Sequence, residues 1–561
     1  MKPNSMKKYF TLILATFVLA AYAQAQTTLR GKVSDDKGEA LIGVSVYLKG
    51  SSIGASTDIN GAYQLLIPAG SANGTLVVSA VGYIPQDVLI DNRTELNVTL
   101  NEDATTLSEV VITGYQSEQR GNITGAVASV KAEELVKVTV PTLDQALQGR
   151  VPGVVITQNT GAPGEGVSIR VRGVGSINSG NYPLYIVDGI PTLDINSFSM
   201  QDVVDFSILK DASAAALYGS RAANGVVIIT TKSGKGGPPR IQLNSQFGVQ
   251  TSSRLIDMAN TAEYVKIYNE AAITDNVGKS GIFLRPLISE ATAATFDDVD
   301  YINEIMQTAK VQSHSLSISG SEGKTNYFLS GTYYNQEGII KSSGFERLTG
   351  RINIDTEIKK WLTTGVNLNI AKSTTDLIPS SGDGAGGNGG SVVRYAFFRT
   401  PAIPVYDANG DFVDKPDLSA LLGDGYNPVG MLAYNQNERV NNRLFGKAYL
   451  KITPAKGLTL ISNFGVDLDN TNQRRFDRNW GSNNRINNPN RLVITDTRFQ
   501  GLTFSNFLTY DKSVGKNNFT FLLGTEAIRN STYGFSGTDN NFPDQKRSLV
   551  YLGNGGGTKT I

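Results

Sequence analysis

The chain has 561 residues, more than one ordinary domain holds, and a formal net charge of +1. Balanced charge excludes the basic field of a nucleic-acid binder. With no cysteine and one histidine, His314, disulfides, thiolate metal sites, cysteine nucleophiles and nearly all imidazole chemistry are excluded, so neither an enzyme nor a cofactor is expected.

The first 25 residues read as an export signal. Lys2, Lys7 and Lys8 supply charge, Tyr9 to Ala21 is an apolar core too short to span a bilayer, and Ala23-Gln24-Ala25 is a small-x-small cleavage pattern. The competing reading is a membrane anchor. After this segment no apolar run reaches transmembrane-helix length.

Residues 26–101 predict a β-sandwich. Leu29, Gly31 and Val33 alternate before the turn Asp35-Asp36-Lys37-Gly38, and Val44, Val46 and Leu48 alternate after it. Asp58-Ile59-Asn60-Gly61 is a second turn, followed by Tyr63, Leu65 and Ile67. Further strands are expected at 76–81, 88–90 and 96–100. Asp58-x-Asn60-Gly61 has the start of a calcium loop without its remaining ligands, so a plain turn is expected. The pattern Gly31-x-Val33, Gly43-Val44, Thr57-Asp58, Gly61-x-Tyr63 and Val81-Gly82-Tyr83 resembles the carboxypeptidase-regulatory-like domain, a non-catalytic accessory.

Residues 102–117 read as a linker carrying one β-branched strand, Glu109-Val110-Val111-Ile112-Thr113. An exposed strand is an aggregation hazard unless a partner pairs with it, so β-augmentation is its expected use.

Residues 118–236 change character. Pro141 to Gln145 predicts a helix start with Thr142 as cap and Gln145 reaching back. Strands are expected at 154–157 and 167–172, the second placing Arg170 and Arg172 on one face and Ile169 and Val171 on the other. Leu184 to Val187 is a strand ended by the Asp188-Gly189 turn. Asp211 to Tyr218 predicts a helix with Gly219 beyond its end, and Gly225 to Lys232 a strand. Gly173-x-Gly175 lacks the third glycine of a dinucleotide fingerprint, so phosphate binding is not expected.

Residues 237–561 repeat strands of period two, each about 10 residues long, the length a tilted strand needs to cross a bilayer. Ile241, Leu243, Phe247 and Val249 alternate with polar residues. Pairs are expected at 351–358 with 362–370, 311–319 with 325–335, 444–454 with 458–469, and 498–510 with 518–529. Short turns at 321–324, 359–361 and 455–457 face long loops at 374–443 and 470–497, the outer-membrane barrel pattern. A soluble antiparallel sandwich also alternates and is the competing reading. Tyr395, Phe397, Phe398, Tyr406 and Tyr426 in the first long loop could stack on sugar rings or pack the loop itself. His314 is expected to be an interfacial residue near a strand end.

Five runs then resemble the SusC/RagA class of TonB-dependent outer-membrane transporters: Leu147-Gln148-Gly149-Arg150-Val151-Pro152-Gly153-Val154, Ile169 to Gly173, Pro183 to Gly189, Leu209 to Ala214, and Tyr218 to Val227. The order of sandwich, linker strand, plug and barrel matches too. One departure is Val204-Asp205-Phe206-Ser207, where relatives carry an Ile-Glu segment. The resemblance implies a mainly β chain: an N-terminal carboxypeptidase-regulatory-like β-sandwich, a mixed α/β plug, and an incomplete antiparallel transmembrane β-barrel with about nine of an expected 22 strands. A nine-strand ring is too narrow for the plug and an open sheet leaves unpaired edges in lipid, so the chain is expected to be an N-terminal fragment. Glu109, Val110, Val111, Ile112 and Thr113 become the TonB box. Arg170, Arg172, Gly173, Asp188, Gly189, Lys210, Asp211, Arg221 and Asn224 become plug-motif residues. Arg170 and Arg172 are expected to pair with barrel carboxylates, holding the plug rather than touching substrate. The implied partners are the TonB energy-transducing complex, a SusD-like surface lipoprotein, a nutrient substrate (oligosaccharide or peptide) and outer-membrane lipid. The implied activity is import across that membrane, with a surface adhesin as the alternative.

Overall fold

The computed structural model describes residues 27–36, 38–49, 51, 53–68, 73–80, 83–101, 110–112, 117–119, 127–135, 140–158, 161–177, 180–211, 216–234, 237–379, 391–423, 425–479, 489–515 and 517–560. The export-signal reading lies outside them. Two compact units separate near residue 111, with 118–122 counted in the first.

The first unit is the sandwich. Its strands are β1 (Thr27–Ser34), β2 (Ser45–Leu48), β3 (Gly54–Ser56), β4 (Ala62–Ile67), β5 (Thr75–Ser79), β6 (Gln86–Leu89) and β7 (Val98–Thr99). One sheet has the order β4-β1-β7 and the other β3-β2-β5-β6. The alternating Leu29, Val33, Val46, Leu48, Leu65 and Ile67 point inward and are buried. The Tyr63 hydroxyl donates to the Leu96 carbonyl at 2.7 Å, which satisfies its polar end inside the core. The Asp58 carboxylate accepts the Asn60 and Ala62 amides at 2.9 Å, so it shapes a turn of its own chain. Two short strands follow, β8 (Val110–Ile112) and β9 (Ser117–Gln119), which pair with each other.

The second unit begins with the plug. A mixed sheet of order β10-β15-β16-β13-β14 is built from β10 (Val127–Lys131), β13 (Leu184–Val187), β14 (Ile190–Thr192), β15 (Val203–Leu209) and β16 (Val226–Thr231). The hairpin of β11 (Val154–Thr157) and β12 (Ser168–Val171) stands beside it. The core holds Ile169, Val187, Phe198, Phe206 and Ile229. Two expectations need correcting. The 143–146 helix has Thr142 at its cap, but the threonine side chain makes no capping bond. The described part of the next helix, 216–222, is a 3₁₀ segment broken at Gly219, while 212–215 lie outside the described residues.

The remainder is one antiparallel sheet of nine strands: β17 (Arg240–Gln250), β18 (Ala309–Glu322), β19 (Thr325–Glu337), β20 (Gly344–Lys359), β21 (Leu362–Asp376), β22 (Asn435–Ala455), β23 (Leu458–Asp477), β24 (Arg491–Val514) and β25 (Asn517–Asn540). Each strand pairs with its neighbour in sequence, and among the described residues β17 and β25 pair with no further strand across their outer edges, so the sheet is open. All four expected hairpins are present. Most strands are far longer than 10 residues, because they continue past what a bilayer needs. The expected loop at 470–497 therefore shrinks to 478–490, and that at 374–443 to 377–434. The long connections, including 251–308 with the helix Thr261–Asp275, lie at one end, and the tight turns at the other. One face carries exposed Ile241, Leu243, Phe247 and Val249; the other buries Arg347, Thr349, Arg351 and Asn353. The described residues include no helix long and apolar enough to cross a membrane, which says nothing about strands.

Candidate functional site

The polar face of the sheet meets the plug, and the contacts are charged and buried. Period-two alternation puts Arg347 and Arg351 of β20 and Arg443 and Lys447 of β22 on that face.

Arg443 is the most heavily bonded of them. Its Nε and Nη2 donate to the two Asp467 oxygens on β23 at 2.9 and 2.8 Å, a bidentate pair. Its Nη1 donates to the Asp194 backbone and carboxylate of the plug at 2.9 and 3.1 Å. The Thr192 hydroxyl, at the end of β14, donates to Asp467 at 2.8 Å. Arg443 and Asp467 side chains are only 2% and 4% exposed, so neither charge has water as a substitute partner.

A second cluster centres on Asp188. It has φ +49°, and Gly189 has φ +87°, so both sit in the left-handed region that a tight hairpin between β13 and β14 requires. The turn aims the carboxylate at Arg351, which donates at 2.6 Å, while the Thr231 amide and hydroxyl donate at 3.0 and 2.6 Å. Lys447 donates to the Asp188 carbonyl. Burial pushes the Asp188 carboxyl up, but the Arg351 and Lys447 charges and the Thr231 bonds outweigh it and hold it below the ordinary value.

Asp202 is different. Its side chain is buried and accepts one bond, from Ser330 of β19 at 2.6 Å; the second oxygen is buried with no partner. Burial pushes it above the ordinary carboxylate value, and the Ser330 bond and the Arg351, Lys232 and Arg347 charges offset only part. Arg347 donates to the Pro141 and Asn196 carbonyls of the plug. Phe198 meets Phe445 edge-on at 5.2 Å. Gly465 lets the hairpin approach: a Cβ there would sit 2.8 Å from Ile190.

The plug-motif residues divide between two roles. Asp188 reaches the sheet, and Arg221 pairs with Glu526 of β25 at 2.6 Å. Lys210 donates to the Pro152 carbonyl, and Asn224 to the Gly180 carbonyl, both inside the plug. The expectation that Arg170 and Arg172 pair with barrel carboxylates is overturned. Arg172 has φ +59°, which turns it out of the strand, and it pairs with Asp211 of the plug; Gly173 follows at φ +104°. Arg170 is exposed and makes no ion pair among the described residues. Arg351 stood among the alternating polar residues, but nothing in its spacing singled it out, and Arg443 and Asp194 carried no motif at all.

Of the loop aromatics, Tyr395 and Tyr426 meet edge-on at 5.4 Å and pack with Phe397 against the loop core. Phe398 lies under Arg394 and is exposed, and Tyr406 packs on Phe412 at 5.0 Å. His314 bonds Ser245 at 2.8 Å and stacks on Tyr333. Val110 to Ile112 of the linker strand form β8, while Glu109 and Thr113 lie outside the described residues. No group of metal-ligating side chains occurs among the described residues.

A plug held by buried charge to the polar face of a long antiparallel sheet matches a barrel with a filled lumen. Residues 119–226 match the TonB-dependent Receptor Plug Domain, and residues 29–112 the CarboxypepD_reg-like domain. A TonB-dependent receptor of Formosa agariphila is 32% identical over 536 residues, covering 93% of this chain and 51% of that one. TonB-dependent receptor SusC of Bacteroides thetaiotaomicron is 29% identical over 566 residues, covering 95% and 53%. The solved RagAB peptide importer in its open-open state superimposes with a TM-score of 0.67 at 26% identity, over 81% of this chain and 53% of that one. Over most of its length the chain is similar to TonB-dependent receptors of the SusC/RagA type. It spans about half the length of the curated relatives it matches.

Proposed function

We propose that this chain forms the plug-bearing part of an outer-membrane importer for a large nutrient, an oligosaccharide or a peptide. The observation that carries the reading is the plug pinned to the sheet through Asp188, Thr192 and Asp194 rather than through a broad apolar seam. Ion pairs and hydrogen bonds can exchange for water as a plug moves, whereas a packed apolar seam resists such opening. Force would enter through Glu109–Thr113, gripped by TonB through backbone pairing, which asks little of side-chain identity. A SusD-like lipoprotein would cover the long-loop end, where substrate arrives. RagAB, the similar solved structure, is described as a peptide importer, and the similar relatives are receptors, not enzymes.

An adhesin would need neither the plug nor a strand ahead of it. Val111→Pro in the full-length receptor separates the two readings. Proline removes an amide donor and fixes φ, which breaks strand addition. Uptake should fall to the level of a strain without a proton gradient, while surface binding and outer-membrane abundance stay unchanged. Unimpaired uptake would refute coupling through this strand.

A further inference from the structure

We propose that the outward face of β20–β24 binds a bisphosphorylated, multi-acyl lipid of the outer leaflet. A groove of about 900 Å³ lies across these strands, lined by Leu348, Ile370, Leu444, Leu468, Lys372 and Arg498. It faces away from the plug. Leu348, Ile370 and Lys372 are exposed, whereas Arg347, Arg351 and Arg443 on the same strands are buried against the plug.

Register places the groups. Direct pairing runs Leu348–Lys372–Asn442–Asn470–Arg498 across five strands. The next rung toward the tight turns runs Gly350–Ile370–Leu444–Leu468–Gln500. The polar rung therefore lies on the long-loop side of an apolar one, the order a lipid presents from headgroup to acyl chain. Gly350 pairs with Gly331, and a Cβ at either would meet nothing within 4 Å, so no side chain fills this flank of the groove.

Charge then selects the headgroup. Lys372 is exposed and makes no ion pair among the described residues. Arg498 donates Nε to Asp496 at 3.0 Å yet keeps 66% of its side chain exposed. The nearby Glu346 carboxylate is bonded by the Tyr333 hydroxyl at 3.0 Å. Lys372 and Arg498 stand three strand spacings apart, roughly 14 Å. One phosphate cannot reach both while the side chains remain extended, so the fit is to two phosphates on one headgroup. The apolar floor, three strands wide at Ile370, Leu444 and Leu468, suits several acyl chains rather than one.

The inference rests on the outer-membrane placement, not on transport. Receptor from the outer-membrane fraction is exchanged into nanodiscs containing bisphosphorylated lipid A, monophosphorylated lipid A or phosphatidylethanolamine alone, and retained lipid is counted by mass spectrometry. Wild type should retain the bisphosphorylated form at least fivefold over the monophosphorylated one. Lys372→Gln and Arg498→Gln should each abolish that preference, with surface abundance unchanged. Equal retention of the two lipid A forms by wild type would overturn the proposal even if a variant failed to assemble. Absence of the receptor from the outer-membrane fraction would instead refute the placement itself.

Discussion

At the scale of single residues, the plug is held by groups whose charge state depends on burial. Asp202 is the clearest. Its carboxylate has one hydrogen bond, from Ser330, and one buried oxygen without a partner. Because burial raises its folded-state value, ionisation destabilises the docked plug. That penalty is absent below the unfolded carboxylate value, about 3.9, and complete once pH exceeds the raised folded value. Asp202→Asn should therefore raise the thermal midpoint at about pH 7.5 and leave it unchanged at about pH 3.5. Thermal scans at the two pH values check this, and an equal gain at both would show that charge is not the cause. Asp188 carries the opposite sign: its stabilisation is present above the unfolded value and is lost as pH falls through the depressed folded one.

At the scale of elements, the N-terminal sandwich has what an independent domain needs. Leu29, Val33, Val44, Val46, Leu76 and Val78 are wholly buried in its own core. Residues 26–101 expressed alone should melt cooperatively, and Leu29→Ala should lower stability by about 2–5 kcal/mol. Circular dichroism melts of both would check it; a chain without a transition would refute autonomy. Alternation made most strands legible in both units. Strand ends were less so, because β22–β25 continue into polar sequence that reads as loop: Arg474 and Arg475 lie inside β23 and Arg491 begins β24. Backbone pairing with a neighbour, not side-chain polarity, extends those strands.

At the scale of the molecule, plug and sheet act as one body through a few desolvated pairs. Arg443→Met would leave Asp467 buried and uncompensated, a loss of about 3–5 kcal/mol. Replacing both partners, Arg443→Met with Asp467→Leu, removes the orphaned charge and should recover much of that loss. Protease sensitivity of the plug measures it: faster cleavage in the single variant, near wild-type cleavage in the double. Equal sensitivity in both would place the loss in Arg443's plug contacts rather than in the orphaned Asp467.

By itself the sequence determined the order of sandwich, linker strand, plug and antiparallel sheet, because periodicity, turn residues and plug runs such as Pro183 to Gly189 are local and survive reading one residue at a time. It also determined which strand face is polar. Only the tertiary structure decided which polar residues meet. Arg443, Asp194 and Asp467 are separated by as many as 273 positions, and their convergence depends on how the plug seats against the sheet. Within the plug itself, a left-handed backbone at Arg172 sent that side chain to Asp211 instead of a barrel carboxylate, although alternation alone had placed it on the face of Arg170.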